Sequence, residues 1–350
     1  MKFTKILTVA ITALFCLTVA GAVVASDDSS AADVTAHNIY IEVVEDSAGT
    51  VSSSFWMLVE CENTVDAFIE KTNAVAKAGG VPLEVGKSGE WLTLSYDGGG
   101  SIACWYGKDG AWAPVSDTAG TYPSAEFIGL GVKTGWIGQA QYDVLTDAQK
   151  AKWQEDATYP GNFMKKMDAK ITDVPETKTY HVYSKVINDD LSVEAGKWIE
   201  FSNYKTPQGF VAGANMAFKD AGMDKVSFSF SGYIGVLYDG SIINVSYFAK
   251  EGKWTFSEVT EKEYVEGDSV AFGFKNGYIS TEKYNGLSDD AKKDWVESGY
   301  GDPSAYRYVF SEPTDGYKPA ENNTLLFVVI GAVAVVAVLT IAFFVFKKKA

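Results

Sequence analysis

SYDGGGSIACWYGKDGAW, residues Ser95 to Trp112, is written again between Tyr238 and Trp254 as YDGSIINVSYFAKEGKW. The offset is 142 residues, and it extends far beyond these two segments. Trp56 falls on Trp198, Thr64 on Thr206, Phe68 on Phe210, Tyr122 on Tyr264 and Trp153 on Trp295. From Trp56 to Trp153 no gap is needed, and 23 of 98 positions are identical. So long a register marks a duplicated domain, not a solenoid of repeats of about 20–50 residues.

Each copy has the same coarse layout. An apolar strand opens it, Asn38 to Val44 in the first copy and Tyr180 to Ile187 in the second. A second strand follows, Phe55 to Glu60 or Lys197 to Ser202, and then a helix. Thr64 is a good N-cap, and Val65, Phe68, Ile69, Thr72 and Val75 recur at three and four, which gives one apolar face. In the second copy Thr206 caps and Pro207 takes the first helical position, where its missing N–H costs nothing. Gly79-Gly80 and Gly222 end these helices.

The quoted stretch comes next. Trp91–Tyr96 and Ile102–Tyr106 read as two strands of one hairpin, turned at Asp97-Gly98 because glycine accepts positive φ. The second copy repeats the hairpin with Tyr233–Tyr238 and Ile242–Phe248. A further strand, Ala125–Val132 or Ser269–Lys275, precedes a short helix at Thr146, whose Gln149 completes a capping box; Ser288 opens its twin. Strands interleaved with a helix on one face predict an α+β sandwich in each copy.

The ends set the compartment. Lys2 and Lys5 precede an apolar run closed by Val23-Val24-Ala25, the pattern of a signal peptide over residues 1–25. Residues 324–346 carry no charge and are long enough to cross a bilayer as a helix. Lys347, Lys348 and Lys349 follow in a cytoplasmic tail, residues 347–350. The expected organisation is a first repeat domain over 26–170, a second over 171–310 and a linker over 311–323. The protein is then a single-pass protein of the cell membrane with its body outside. That body holds 25 basic against 45 acidic side chains, a net −20. Such a charge repels nucleic acid, and a single arginine, Arg307, leaves no cluster to clamp phosphate.

Little in the chain points to catalysis. Two histidines, His37 and His181, sit at the starts of the opening strands and read as exposed. No zinc, P-loop or dinucleotide signature occurs, and Asp189-Asp190 and Asp289-Asp290 lack EF-hand spacing. The sequence therefore predicts no enzyme, no metal and no cofactor. Cys61 and Cys104 survive processing as an even pair, which outside the cell predicts a disulfide between the strand before the helix and the aromatic strand. Asn244 and Asn322 open glycosylation sequons, and Asn244-Val245-Ser246 lies opposite Cys104 in the repeat.

LVECENTVDAFIEKTN (Leu58 to Asn73), WYGKDG (Trp105 to Gly110) and KEYVEGDSVAFGF (Lys262 to Phe274) resemble segments of the transcobalamin C-terminal-like domain, a β-grasp-like domain of unknown function. The resemblance implies two tandem β-grasp-like domains and a surface binding role, with a corrinoid among the ligands. The first copy departs from it, with Ser124-Ala125-Glu126 where the second has Glu266-Gly267-Asp268.

Nine Trp, 19 Tyr and 20 Phe leave the aromatics as the residues most able to hold something. Rings give a large contact area with a polar handle, suited to a sugar, a corrinoid or a peptide, although most of them belong to the core. On the aromatic strand one of Trp105 and Tyr106 faces inward and the other outward. Trp105, Trp112, Tyr247 and Trp254 are the ligand-binding candidates. The function expected is a non-enzymatic, membrane-anchored surface protein that binds a small molecule, glycan or protein partner. The alternative is a structural or adhesive component of the envelope.

Overall fold

Two five-stranded sheets with the same strand order carry the chain, one in each copy of the repeat. The computed structural model describes residues 33–115, 119–239, 244–249, 253–255, 261–298 and 305–311, and all of these lie in one unit, Asp33–Gly316. Residues 1–25, where a signal peptide is predicted, the predicted span 324–346 and Asn322 lie outside the described residues.

The first half opens with β1 (Val34–Val44) and β2 (Val51–Glu62), antiparallel with Tyr40 opposite Trp56. Helix α1 (Val65–Ala78) follows, with the Thr64 side chain accepting from Ala67 N at 3.2 Å. Its buried face is Phe68, Thr72, Val75 and Ala76, and the chain leaves it through Gly80 at φ 68. A hairpin of β3 (Leu83–Ser88) and β4 (Trp91–Tyr96) lies beside it. Then come β5 (Ala103–Lys108), β6 (Ala111–Pro114) and β7 (Phe127–Lys133). The sheet order is β2-β1-β7-β5-β6, with β1 and β7 parallel at its centre. Central parallel strands are covered on both faces, which is why Ile39 to Val44 is apolar almost without alternation.

The helix and hairpin cover one face, where Ile39, Ile41, Val59, Phe68, Leu92, Ile128 and Leu130 form the core. The other face is closed by β8 (Trp136–Gly138), α2 (Gln139–Asp143), α3 (Asp147–Lys150), β9 (Trp153–Glu155) and β10 (Asn162–Lys165). These strands form a sheet in the order β8-β10-β9. The return of the chain over β7 needs Gly129, where a Cβ would stand 2.8 Å from Met167 Sδ.

The second half repeats this plan. It runs β11 (Thr177–Ile187), β12 (Lys197–Tyr204), α4 (Pro207–Asp220), β13 (Val226–Phe230) and β14 (Ile234–Tyr238). After these come β15 (Asn244–Ala249), β16 (Lys253–Thr255), α5 (Glu261–Glu266) and β17 (Ser269–Lys275). The closing group is β18 (Tyr278–Ser280), α6 (Thr281–Asn285), α7 (Asp289–Lys292), β19 (Trp295–Glu297) and β20 (Ala305–Tyr308). The large sheet is β12-β11-β17-β15-β16 and the small one β18-β20-β19.

One polar residue holds each helix to its hairpin. Asn73, in α1, donates to Val85 O and accepts from Val85 N, both at 2.8 Å, so its amide takes the place of a neighbouring strand for β3. Asn215 does the same for Phe228 in α4, and its Nδ2 also reaches Ala78 O of the first half at 2.6 Å. A second tie joins the halves where the Tyr204 hydroxyl donates to Asn38 Oδ1.

The structure corrects the expected fold class. Among the described residues strands make up 46% and helices 22%, in several small sheets, so this body is mostly β and not an α+β pair of β-grasp-like sandwiches, and the predicted transmembrane helix is not shown. Two things account for this. The run Leu83–Ser88, to which the spacing assigns no element, is a strand, and the segment beyond Thr134 closes as a three-stranded sheet instead of adding only a helix. Among the described residues no helix is long and apolar enough to cross a membrane.

The hairpin assignment is corrected too. β4 pairs with β3, and β5 pairs with β6 and β7, so the two halves of the quoted stretch lie in different sheets. Asp97 and Gly98, at φ 52 and 75, turn the chain tightly, and Gly100 then crosses the backbone of Lys133 at close range. The turn forms, but it links two sheets.

Candidate aromatic cleft

A cleft of about 500 Å³ opens at the β5–β6 edge of the first half, between the β3–β4 hairpin and the β8-β10-β9 sheet. That volume is in the range of small-molecule sites. Its walls carry four aromatic rings, Trp91, Tyr106, Trp136 and Tyr159. Trp91 opens β4 just past the Gly89 turn and is 52% exposed. Tyr106 is on β5, on the face opposite Trp105 by strand alternation.

Tyr159 is held up by the loop after β9. The Asp156 carboxylate accepts from Thr158 N at 2.7 Å and Tyr159 N at 3.3 Å, an Asx turn that fixes the loop and leaves Tyr159 52% exposed. Its ring meets Trp136 edge-on at 6.0 Å. The Trp136 Nε1 donor is buried and has no partner among the described residues. Asp156 is the one charged side chain among the described residues that line the cleft.

The residues named from the sequence lie elsewhere. Trp105 is 2% exposed and donates from Nε1 to Lys165 O at 2.8 Å, so it is a core anchor and offers no ring to a ligand. Its neighbour Tyr106 is the one that reaches the cleft, because the sheet buries the opposite face of β5 beneath β10 and Met167. Trp112 is half-buried, stacks on Trp56 at 6.3 Å and donates to Ala169 O at 2.6 Å. Trp254 repeats this packing against Trp198 at 6.1 Å and Tyr183 at 6.2 Å. Tyr247 and Asn244 are on β15, and their side chains lie outside the described residues.

Tyr40, Trp56 and Trp112 in one half and Tyr183, Trp198 and Trp254 in the other thus form matched clusters under the two sheets. Their repetition in sequence records a shared core. The cleft aromatics Trp136 and Tyr159 carried no repeat identity, and only the loop's Asx pattern hinted at them.

The disulfide is also corrected. No bond joins Cys61 and Cys104, and both thiols are buried. They stand on β2 and β5 with β1 and β7 between. Three strand spacings amount to about 14 Å, against a Cα separation of at most about 7 Å in a disulfide. His37 is fully buried, not exposed, because Phe68 of α1 and the backbone at Ala125 close over its ring. Its Nδ1 bonds Ala125 O at 2.7 Å and its ring meets Phe68 edge-on at 5.0 Å. His181 is half-buried with Nδ1 3.4 Å from Glu200 Oε2. Among the described residues no cluster of His, Cys, Asp or Glu is arranged to hold a metal.

Comparison of the chain with protein family models, with curated proteins and with solved structures finds no match.

Proposed function

We propose that this chain is an extracellular binding protein without catalytic activity, and that the aromatic cleft of its first half takes a neutral sugar ring of a glycan. The observation that carries the reading is the pair of exposed rings, Trp91 on β4 and Tyr159 in the loop after β9, that line one cleft. Large aromatic side chains left in water at a concave site gain most from a ligand with flat apolar faces, and a pyranose has such faces. Asp156 supports a neutral ligand, since it accepts from hydroxyls and repels anions. The register of exposed aromatics is kept in the second half, where Tyr233 occupies the position of Trp91 and is 58% exposed.

The test is titration of the full chain with neutral gluco-, xylo- and manno-oligosaccharides, followed by tryptophan emission and calorimetry. Saturable binding that is lost in Trp91→Ala and weakened in Tyr159→Ala is the expected result. Absence of heat and emission change across the three series would overturn the reading. So would saturable binding of cobalamin, run alongside because of the resemblance, in place of the sugars.

A further inference from the structure

One cross-strand pair separates the two halves. In the first, Ile41 stands opposite Phe55 across β1 and β2, and both pack into the core beneath α1. In the second, the same register holds Ser184 opposite Lys197 across β11 and β12. The central parallel strands fix the correspondence, since Ile41 pairs with Leu130 and Ser184 with Phe272. The neighbouring changes go the same way. Ile187 meets Val193 as Val44 meets Val51, so Glu194 takes the place of Ser52. Beyond the helix, Asp97 N donates to Pro82 O and Asp239 N to Lys225 O, so Lys225 replaces Pro82 and Asp224 is an added residue.

These changes surround a second cavity, of about 490 Å³, which lies between the β11–β12 turn and the C-terminal end of α4. Where Ile41 fills the core, Ser184 leaves room and lines the cavity with a hydroxyl, 2% exposed. That hydroxyl donates to Lys197 O at 3.2 Å, with Met223 Sδ 3.8 Å away, and its lone pairs accept from no described residue. A buried hydroxyl with unused acceptor capacity suits a ligand that donates. The two lysines of the lining are engaged: Lys197 Nζ donates to Ala221 O at 2.9 Å, and Lys225 Nζ lies 3.3 Å from Asp239 Oδ2. The carboxylates of Glu194 and Asp224 have no partner among the described residues. The unspent groups are therefore acceptors, two of them anionic, and the carbonyl end of α4 adds partial negative charge. Val186, Met223 and the Tyr238 ring, which stacks on Phe274 at 5.5 Å, give the cavity an apolar wall.

We infer that this cavity is a second binding site of the protein and takes a small protonated aliphatic amine. The ammonium offers its N–H donors to Ser184, Glu194 and Asp224, and the hydrocarbon lies against Val186, Met223 and Tyr238. The site stands on the cavity and the register of the second half, independently of the sugar-binding reading of the first.

The experiment titrates the full chain by calorimetry with butylamine and putrescine, and with butyrate and butanol as anionic and neutral counterparts. Saturable heat with the amines alone is the expected result. Glu194→Gln should weaken amine binding roughly tenfold, the worth of one hydrogen bond to a charged group. The double variant Ser184→Ile/Lys197→Phe installs the pair that the first half carries and should abolish amine binding, with neutral-sugar binding as in the wild type. It also removes a cation, so non-specific attraction of amines to the acidic surface should rise; loss of binding then reports the cavity itself. An unshifted or raised melting temperature checks the fold of the double variant, and where it falls, Glu194→Gln, on an exposed turn, decides alone. Amine binding equal to wild type in the folded double variant or in Glu194→Gln would overturn the inference. So would equal binding of butyrate or butanol, or no saturable heat with either amine.

Discussion

Lys165 Nζ lies 3.2 Å from Glu42 Oε2, and neither side chain reaches solvent. The second oxygen of Glu42 accepts from Asp168 N, while Lys165 also donates to Asp168 Oδ1 at 2.8 Å and Lys166 O at 2.7 Å. Burial pushes the Glu42 carboxyl above the usual carboxylate range, and the Lys165 ammonium opposes this. The pair pins β10 and the turn after it to β1, and the Lys165 carbonyl receives the Trp105 indole. In the second half Lys185 stands at the position of Glu42, and its Nζ lies 5.9 Å from the ring of Tyr308, which replaces Lys165.

Removing one member of this pair should cost far more than removing both. Lys165→Met leaves Glu42 buried without its cation and should lower stability by about 3–5 kcal/mol. The double variant Glu42→Met/Lys165→Met should recover most of the loss in urea unfolding. Equal instability of the single and double variants would show that the ion pair is not the source.

Acid should weaken the fold through His37. Burial lowers its pKa from 6.5, so the native state holds it neutral while the unfolded chain takes up a proton. The stability it contributes is complete above about pH 6.5 and is lost as pH falls toward the depressed native value. His181, also lowered by burial, acts in the same direction. The melting temperature of the wild type should therefore drop between pH 7.5 and 5, and by less in His37→Phe. Parallel curves for the two proteins would argue against this assignment.

Asn73 should matter more than a polar residue in a helix usually does. Asn73→Ala leaves the Val85 N–H and C=O without their partner and should cost about 2–3 kcal/mol. Asn73→Asp keeps the acceptor and loses the donor, so it should be intermediate. Asn215→Ala loses the further bond to Ala78 O and should cost more than Asn73→Ala. Hydrogen exchange at Val85 and Phe228 would report each loss directly.

The two cysteines should behave as inert buried thiols. Burial raises the Cys61 thiol, which keeps it protonated and unreactive. Neither should alkylate in the native protein without reductant, both should alkylate in denaturant, and added reductant should leave the melting temperature unchanged. Recovery of a peptide linking Cys61 to Cys104 would sink this.

What could be read from the chain was local or repeated. Thr64 and Thr206 cap their helices, Thr146 and Gln149 form their box, and Ser269–Lys275 is a strand over those same residues. Each depends on residues within a turn or two of one another, so composition and spacing suffice. Asn73 was also within reach, since Asn215 repeats it at the 142-residue offset inside an otherwise apolar helix face.

The sequence by itself determined the duplication, its register, the two long helices and the apolar centre of each sheet, because these rest on short-range pattern and on one chain segment matching another. Only the tertiary structure decided that β4 and β5 part company after Asp97-Gly98, that Trp105 turns inward and Tyr106 outward, and that three strand spacings separate the cysteines. Strand alternation offers two faces and cannot say which of them another layer will cover. That choice is made when β10 folds back across β7 and buries Trp105, Glu42 and Lys165 together, a contact between segments more than a hundred residues apart.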